Sequence, residues 1–173
     1  MTQEQILQAF NALNDELARE GVKGEVGVVG GAAMVLAFNA RESTRDVEAV
    51  FDPSSKVRAA AMRVSEMQGL PVDWLNDAVK GFMPADTQPR SILLDLPFLS
   101  VWVPPPQYLL AMKAISARFD SNDAADLRTL IRYMQLRRAE DVLEVVARYY
   151  PRNQIPPRTQ YFLEELFEQE SRD

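Results

Sequence analysis

The 173-residue chain contains no cysteine and no histidine. The first absence excludes disulfides, thiolate nucleophiles and thiolate-bound zinc. The second removes imidazole as acid, base or metal ligand, and with it every Ser-His-Asp triad. A metal here must therefore bind through oxygen, which selects hard cations such as Mg²⁺, Mn²⁺ or Ca²⁺. Positive charge is also in short supply. Lys and Arg number 19 against 25 Asp and Glu, a net charge of -6, which argues against gripping nucleic acid by overall attraction and leaves room only for a local basic patch. Long apolar runs are missing too. The longest, residues 26–38, is broken by Gly27, Gly30 and Gly31 and falls short of the ~20 residues that span a bilayer. The opening Met1-Thr2-Gln3-Glu4 lacks the cationic start and apolar run of a secretory signal. The expectation is a soluble cytoplasmic protein with no membrane partner.

What is present is the mix of an ordinary folded chain, 47% hydrophobic and 25% charged, long enough to build a core without staples. Thr2 and Gln5 form a capping-box pattern, and Ile6, Leu7, Phe10, Leu13 and Leu17 share one helical stripe that ends at Gly21. Residues 25–29 are β-prone, Gly30 and Gly31 punctuate them, and residues 32–39 favour helix, so this stretch reads as strand, tight turn, helix. Residues 46–51 alternate as a second strand, Asp52 and Pro53 turn, and a helix over 54–68 is capped by Gly69. Residues 71–75 are a third strand candidate. After a short helical piece near Asp77, residues 80–90 read as a loop, and 92–96 and 99–103 as strands parted at Pro97.

Pro104, Pro105 and Pro106 form the clearest boundary. Beyond them the pattern is helical, over 107–118, 122–135, 139–149 and 159–169. The expected class is α+β. A small mixed β-sheet with flanking helices occupies residues 1–103, and a C-terminal helical region, 104–173, packs against it.

The most informative constellation runs from Gly30 and Gly31 to Asp46-Val47-Glu48. Glycines at a strand-to-helix turn let backbone N–H groups approach an anion, which suits phosphate. Asp46 and Glu48, two apart on a strand, project from one face and can share a divalent ion; alternating acids also commonly form a solvated face. Asp73, framed by Val72 and Trp74, supplies a third carboxylate if its strand pairs with theirs, and otherwise serves a turn or cap. Three carboxylates beside a phosphate cradle describe a two-metal phosphoryl-transfer site.

These residues resemble the nucleotidyltransferase-fold superfamily, which includes DNA polymerase beta. Its pattern of a hydrophobic residue and two small ones, a spacer, two spaced acids and a later acid is matched by Val29-Gly30-Gly31, Asp46-Val47-Glu48 and Val72-Asp73-Trp74. Within it, Gly-Gly-Ala-Ala-Met, Ala-Arg-Glu-Ser-Thr-Arg-Asp-Val-Glu and Val-Asp-Trp-Leu-Asn-Asp are similar to uncharacterised bacterial nucleotidyltransferase-like proteins related to the AbiEii toxins of abortive-infection toxin-antitoxin systems. The likeness spans roughly residues 24 to 136. Two departures stand out: the spacer between Gly31 and Asp46 is slightly long, and Glu48 stands where the toxins more usually carry aspartate.

The resemblance implies a metal-dependent enzyme that moves a nucleoside monophosphate from an NTP to a hydroxyl acceptor and releases pyrophosphate. Asp46, Glu48 and Asp73 would hold Mg²⁺ or Mn²⁺, and Gly30 and Gly31 would seat the triphosphate. The toxins' lysine, arginine and two spaced aspartates are echoed by Lys113, Arg118, Asp123 and Asp126. By that analogy Lys113 would meet the nucleotide phosphates and Asp126 would orient its side of the helix. Partners implied are a tRNA or other RNA acceptor and an antitoxin protein.

Alternatives stand beside these roles. A lysine in an apolar helix either snorkels to the surface, the preferred reading for Lys113, or reaches into a cleft. Asp123 and Asp126 also suit the first turn of a helix. Arg41 and Arg45 flank the acidic motif and could contact a triphosphate, although Arg45 could simply offset the carboxylate beside it. The arginines from Arg128 to Arg158, with Tyr133, Tyr149 and Tyr150, could hold RNA, but solvated helix faces are the better reading. The rival to an enzyme is a catalytically inactive nucleotide-binding or protein-interaction module on the same fold.

Overall fold

The structure, a computed structural model, describes residues 1–78, 90–117 and 122–170. The loop expected at 80–90 thus lies almost wholly outside the described residues. In chain order the elements are α1 (Gln3–Arg19), β1 (Gly24–Val28), α2 (Gly30–Leu36), β2 (Val47–Asp52), α3 (Ser54–Gln68), β3 (Leu75–Asn76), β4 (Ser91–Asp95), β5 (Leu99–Val103), α4 (Pro106–Ser116), α5 (Asp123–Tyr133), α6 (Ala139–Tyr149) and α7 (Pro157–Glu170), with a 3₁₀ turn at Arg152–Gln154. The fold is α+β, a mixed sheet with flanking helices followed by helices alone. No helix among the described residues is long and apolar enough to cross a membrane.

The sequence signals operate locally as their chemistry dictates. Thr2 Oγ1 accepts from Gln5 N and Gln5 Oε1 accepts from Thr2 N at 2.8 Å, so two of the orphan donors at the start of α1 are satisfied reciprocally. Gly69 closes α3 in the left-handed region, φ 63°, where a β-carbon is costly. Pro97 does break the ladder, forming with Phe98 the two-residue tip of a hairpin in which Leu96 and Leu99 exchange backbone hydrogen bonds.

Residues 1–78 and 90–104 make one compact unit. Its sheet runs β3-β2-β1-β5-β4, with β1 antiparallel to β2, parallel to β5, and β2 parallel to β3. Residues paired in register share a face. One face carries Val26, Val28, Val47, Ala49, Phe51 and Val101, all buried. Gly24 lies on that side, and a β-carbon there would meet Leu17 of α1 and Val57 of α3. The core of the unit therefore sits between the sheet and these two helices, which Arg63 also ties together through Glu16 at 2.5 Å and Glu20 at 2.6 Å. The opposite face carries Gly27, Glu48, Val50, Asn76 and Trp102, with the Trp102 ring against Gly27 and the Arg90 guanidinium 4.3 Å from its centroid.

Residues 105–117 and 122–170 belong to a second unit. Its α4 is apolar almost all round, with Tyr108, Leu109, Leu110, Ala111, Met112 and Ala114 buried, the pattern of a central helix. It packs on α5, α6 and α7.

Candidate active site

β1 runs out at Val28, and Val29 remains extended, its N–H donating to Glu48 O at 2.9 Å. Gly30 then turns the chain into α2 at φ +59°, a conformation that side chains resist and glycine adopts freely. The position is closed to a side chain for a second reason: a β-carbon on Gly30 would fall on the Glu48 carboxylate, and one on Gly31 would collide with the Thr44 hydroxyl and lie 3.3 Å from Arg41 Nη1. The turn, a carboxylate, a hydroxyl and a guanidinium thus meet at one corner of the sheet. Of the two arginines that flank the acids, Arg41 comes to the glycine turn, whereas Arg45 is exposed.

Thr44 was not among the sequence-derived candidates, because nothing in its own spacing marks it. Its loop is drawn in by the start of the chain: Thr44 N donates to Met1 O at 2.9 Å, and Thr2 bridges to Ser43.

Asp46 sits one residue before β2, not within it, and both it and Glu48 are half-buried. The Glu48 carboxylate turns to Gly30, while Asp46 Oδ2 accepts from Asn76 Nδ2 at 3.0 Å. The third strand differs from expectation. Pro71 to Trp74 form a turn closed by a 3.0 Å bond from Trp74 N to Pro71 O, and the strand is Leu75–Asn76. The shift follows from the burial of Trp74, whose indole N–H donates to Ala61 O of α3 at 3.0 Å and whose ring meets Phe10 edge-on. Asp73 is consequently an exposed turn residue. The strand position opposite Glu48 belongs to Asn76, and among the described residues no three acidic side chains group closely enough to hold an ion.

Asp46 and Glu48 are oxygen donors flanking the start of one strand, and they suit a single hard divalent cation. The three-carboxylate set that would hold two such ions is not assembled, because Asp73 stays in the turn and an amide takes the facing position.

Lys113, Asp123 and Asp126 lie in the helical unit. Lys113 does not snorkel. It is 8% exposed, and its ammonium pairs with Asp126 Oδ2 at 2.6 Å and Asp123 Oδ1 at 3.2 Å. The reason is electrostatic: α5 brings two carboxylates of its first turn to the lysine, so the buried charge is compensated in place.

The arginine-rich stretch is mostly solvent-facing. Arg132, Arg137, Arg148, Arg152 and Arg158 are exposed, and Arg138 pairs with Asp141 at 3.0 Å to cap α6. Tyr149 meets Tyr108 edge-on with centroids 5.5 Å apart. Burial pushes the Tyr108 hydroxyl up to about 12, and the Tyr149 and Tyr150 hydroxyls also shift upward. A groove of about 450 Å³ in this unit is lined by Glu140, Glu144, Arg152, Ile155 and Pro156 among others and gathers none of the sequence-derived site residues.

No curated protein and no solved structure matches the chain. A family model does, over residues 4–153, and its description is a nucleotidyltransferase of unknown function (DUF6036). That span takes in the glycine turn, the acidic pair and Asn76, and the chain belongs to this family of nucleotidyltransferases of unknown function.

Proposed function

We propose that this chain transfers a nucleoside monophosphate from an NTP to a hydroxyl acceptor, with one divalent cation, Mg²⁺ or Mn²⁺, held by Asp46 and Glu48. The observation that carries the reading is the corner where the Glu48 carboxylate abuts Gly30 while Thr44 and Arg41 abut Gly31. A cation ligand and anion-binding donors meet there at one backbone turn, as a metal-nucleotide substrate requires. In the reaction the acceptor oxygen bonds to the α-phosphorus, the bond from that phosphorus to the bridging oxygen breaks, pyrophosphate departs, and the hydroxyl proton passes to water. The cation, when bound, would neutralise charge on the phosphates. Arg41 and Thr44 would orient the triphosphate, and the Gly30-Gly31 backbone would lie beside it. Asp73 and Arg45, both exposed, and Lys113 and Asp126, each compensating the other, stay outside this set.

An RNA acceptor such as tRNA, and an antitoxin partner in a cytoplasmic toxin-antitoxin pair, extend the proposal on the strength of the sequence resemblance alone. Incubating the chain with Mg²⁺ and NTP labelled at the α or γ position, with and without tRNA, tests it. Label from the α position should appear in the acceptor, and D46A/E48A should abolish this while keeping the native melting temperature. Full transfer by the double variant overturns the assignment, and transfer of γ-label alone makes the protein a phosphotransferase instead.

One observation favours a second reading, a non-catalytic nucleotide-binding module: an amide, not a carboxylate, faces Glu48. The two separate on transfer. A module that only binds would be stabilised by NTP and Mn²⁺, since a ligand of the native state raises its melting temperature, yet it would leave the α-label in NTP.

A further inference from the structure

Asn76 has no assigned role, yet its amide makes three of the four hydrogen bonds open to it. Nδ2 donates to Asp46 Oδ2 at 3.0 Å and to the Asp73 backbone carbonyl at 3.3 Å, while Oδ1 accepts from Ala78 N at 3.2 Å. This network fixes which end of the amide is which. Carboxylate and carbonyl oxygens only accept, and a backbone N–H only donates, so a flipped amide would lose all three bonds.

The residue is also rigidly placed for so short a strand. Upstream, Trp74 is clamped to Ala61 O, and its own carbonyl accepts from Val47 N at 2.6 Å. Downstream, Asp77 pairs with Arg58 of α3 at 2.9 Å. Between these anchors Asn76 lies in register with Glu48.

We infer that Asn76 is a positioning residue for the proposed cation site, holding the Asp46 carboxylate through Nδ2 and not offering its own oxygen as a ligand. The inference rests on the reading that Asp46 and Glu48 bind a divalent cation. The side-chain oxygen of Asn76 is turned to the Ala78 N–H, and the group turned toward Asp46 is a donor, which repels a cation. One lone-pair direction of Oδ2 is thereby occupied, and the rest of the carboxylate is aimed by it. Outer partners of this kind are worth about 10- to 100-fold in metal affinity.

The test is Mn²⁺ binding by the full chain, read from the electron paramagnetic resonance signal of free Mn²⁺, with melting temperature and far-UV circular dichroism confirming that each variant is folded. Asn76→Ala should weaken binding about tenfold. Asn76→Asp is the discriminating variant: it keeps an oxygen for the Ala78 N–H and the same shape, but cannot donate to Asp46. It should therefore bind as weakly as Asn76→Ala. In an Asp46→Ala background, Asn76→Ala should have no further effect, because the two side chains act as one unit.

Wild-type affinity in Asn76→Asp would reduce Asn76 to a turn former, and tighter binding would make the position a ligand site; either result overturns the inference, as does an undiminished effect of Asn76→Ala without Asp46. Failure of the underlying reading looks different. Mn²⁺ would then bind Asp46→Ala and Glu48→Ala as it binds wild type, and both proposals would go together.

Discussion

The Glu48 carboxylate occupies the space that a side chain on Gly30 would need. Strand and turn are therefore matched to each other: the left-handed backbone of Gly30 and its missing β-carbon are both required for Glu48 to lie where it does. Gly30→Ala meets two penalties at once, strain at φ +59° and displacement of the carboxylate. It should destabilise the chain by about 1–2 kcal/mol and abolish transfer of α-label. Thermal melts and the transfer assay check this together; an active, fully stable Gly30→Ala would deny the turn its proposed place in the site.

Thr44 and Arg41 flank the other glycine of the turn. If they orient the triphosphate, Thr44→Val should raise KM for NTP about tenfold, the worth of one hydrogen bond to a charged group, with kcat reduced less. Arg41→Ala should do more, because it removes a full charge. Steady-state kinetics against NTP concentration measure the split.

The buried pair Lys113 and Asp126 gives the helical unit a stability test independent of activity. Lys113→Met leaves a carboxylate that is 2% exposed without its ammonium, and should cost about 3 kcal/mol in urea unfolding. Combining it with Asp126→Leu should recover much of that loss, since the lysine's other partner, Asp123, is 21% exposed and keeps contact with water.

Tyr108 supplies a pH dependence. Its hydroxyl is pushed from an ordinary 10.0 up to about 12 by burial, with Tyr149 adding to the effect. An acid whose pKa is raised on folding binds more protons in the native state than in the unfolded one. Its contribution to stability is thus complete below pH 10 and is lost as pH rises from 10 to about 12. Tyrosinate absorbance and helix circular dichroism should change together across that window, and Tyr108→Phe should remove part of the slope.

Much of the local structure was legible in the residues themselves. Thr2 and Gln5 announce the start of α1, Gly69 the end of α3, and Pro97 the break between β4 and β5, because each acts on backbone groups a few positions away. The Gly30-Gly31 turn and the acidic pair were legible for the same reason. Lys113 was misread, since its partners come from the following helix, and nothing in the apolar run around it reveals two carboxylates waiting there. The third strand was placed slightly too early because alternation marks β-prone residues without showing that Trp74 would be drawn beneath α3.

By itself the sequence determined the chemistry available: oxygen ligands only, an α+β pattern, a glycine turn ahead of two spaced acids. Periodicity, caps and turn residues are short-range properties, readable along the chain. Which side chains meet was settled in three dimensions. Asn76 rather than Asp73 faces Glu48, and Thr44 joins the glycine turn, because the parallel pairing of β2 with β3 and the bridge from Thr2 to Ser43 link segments far apart in the chain. Such pairings depend on the burial of distant groups such as Trp74, a property no local pattern carries.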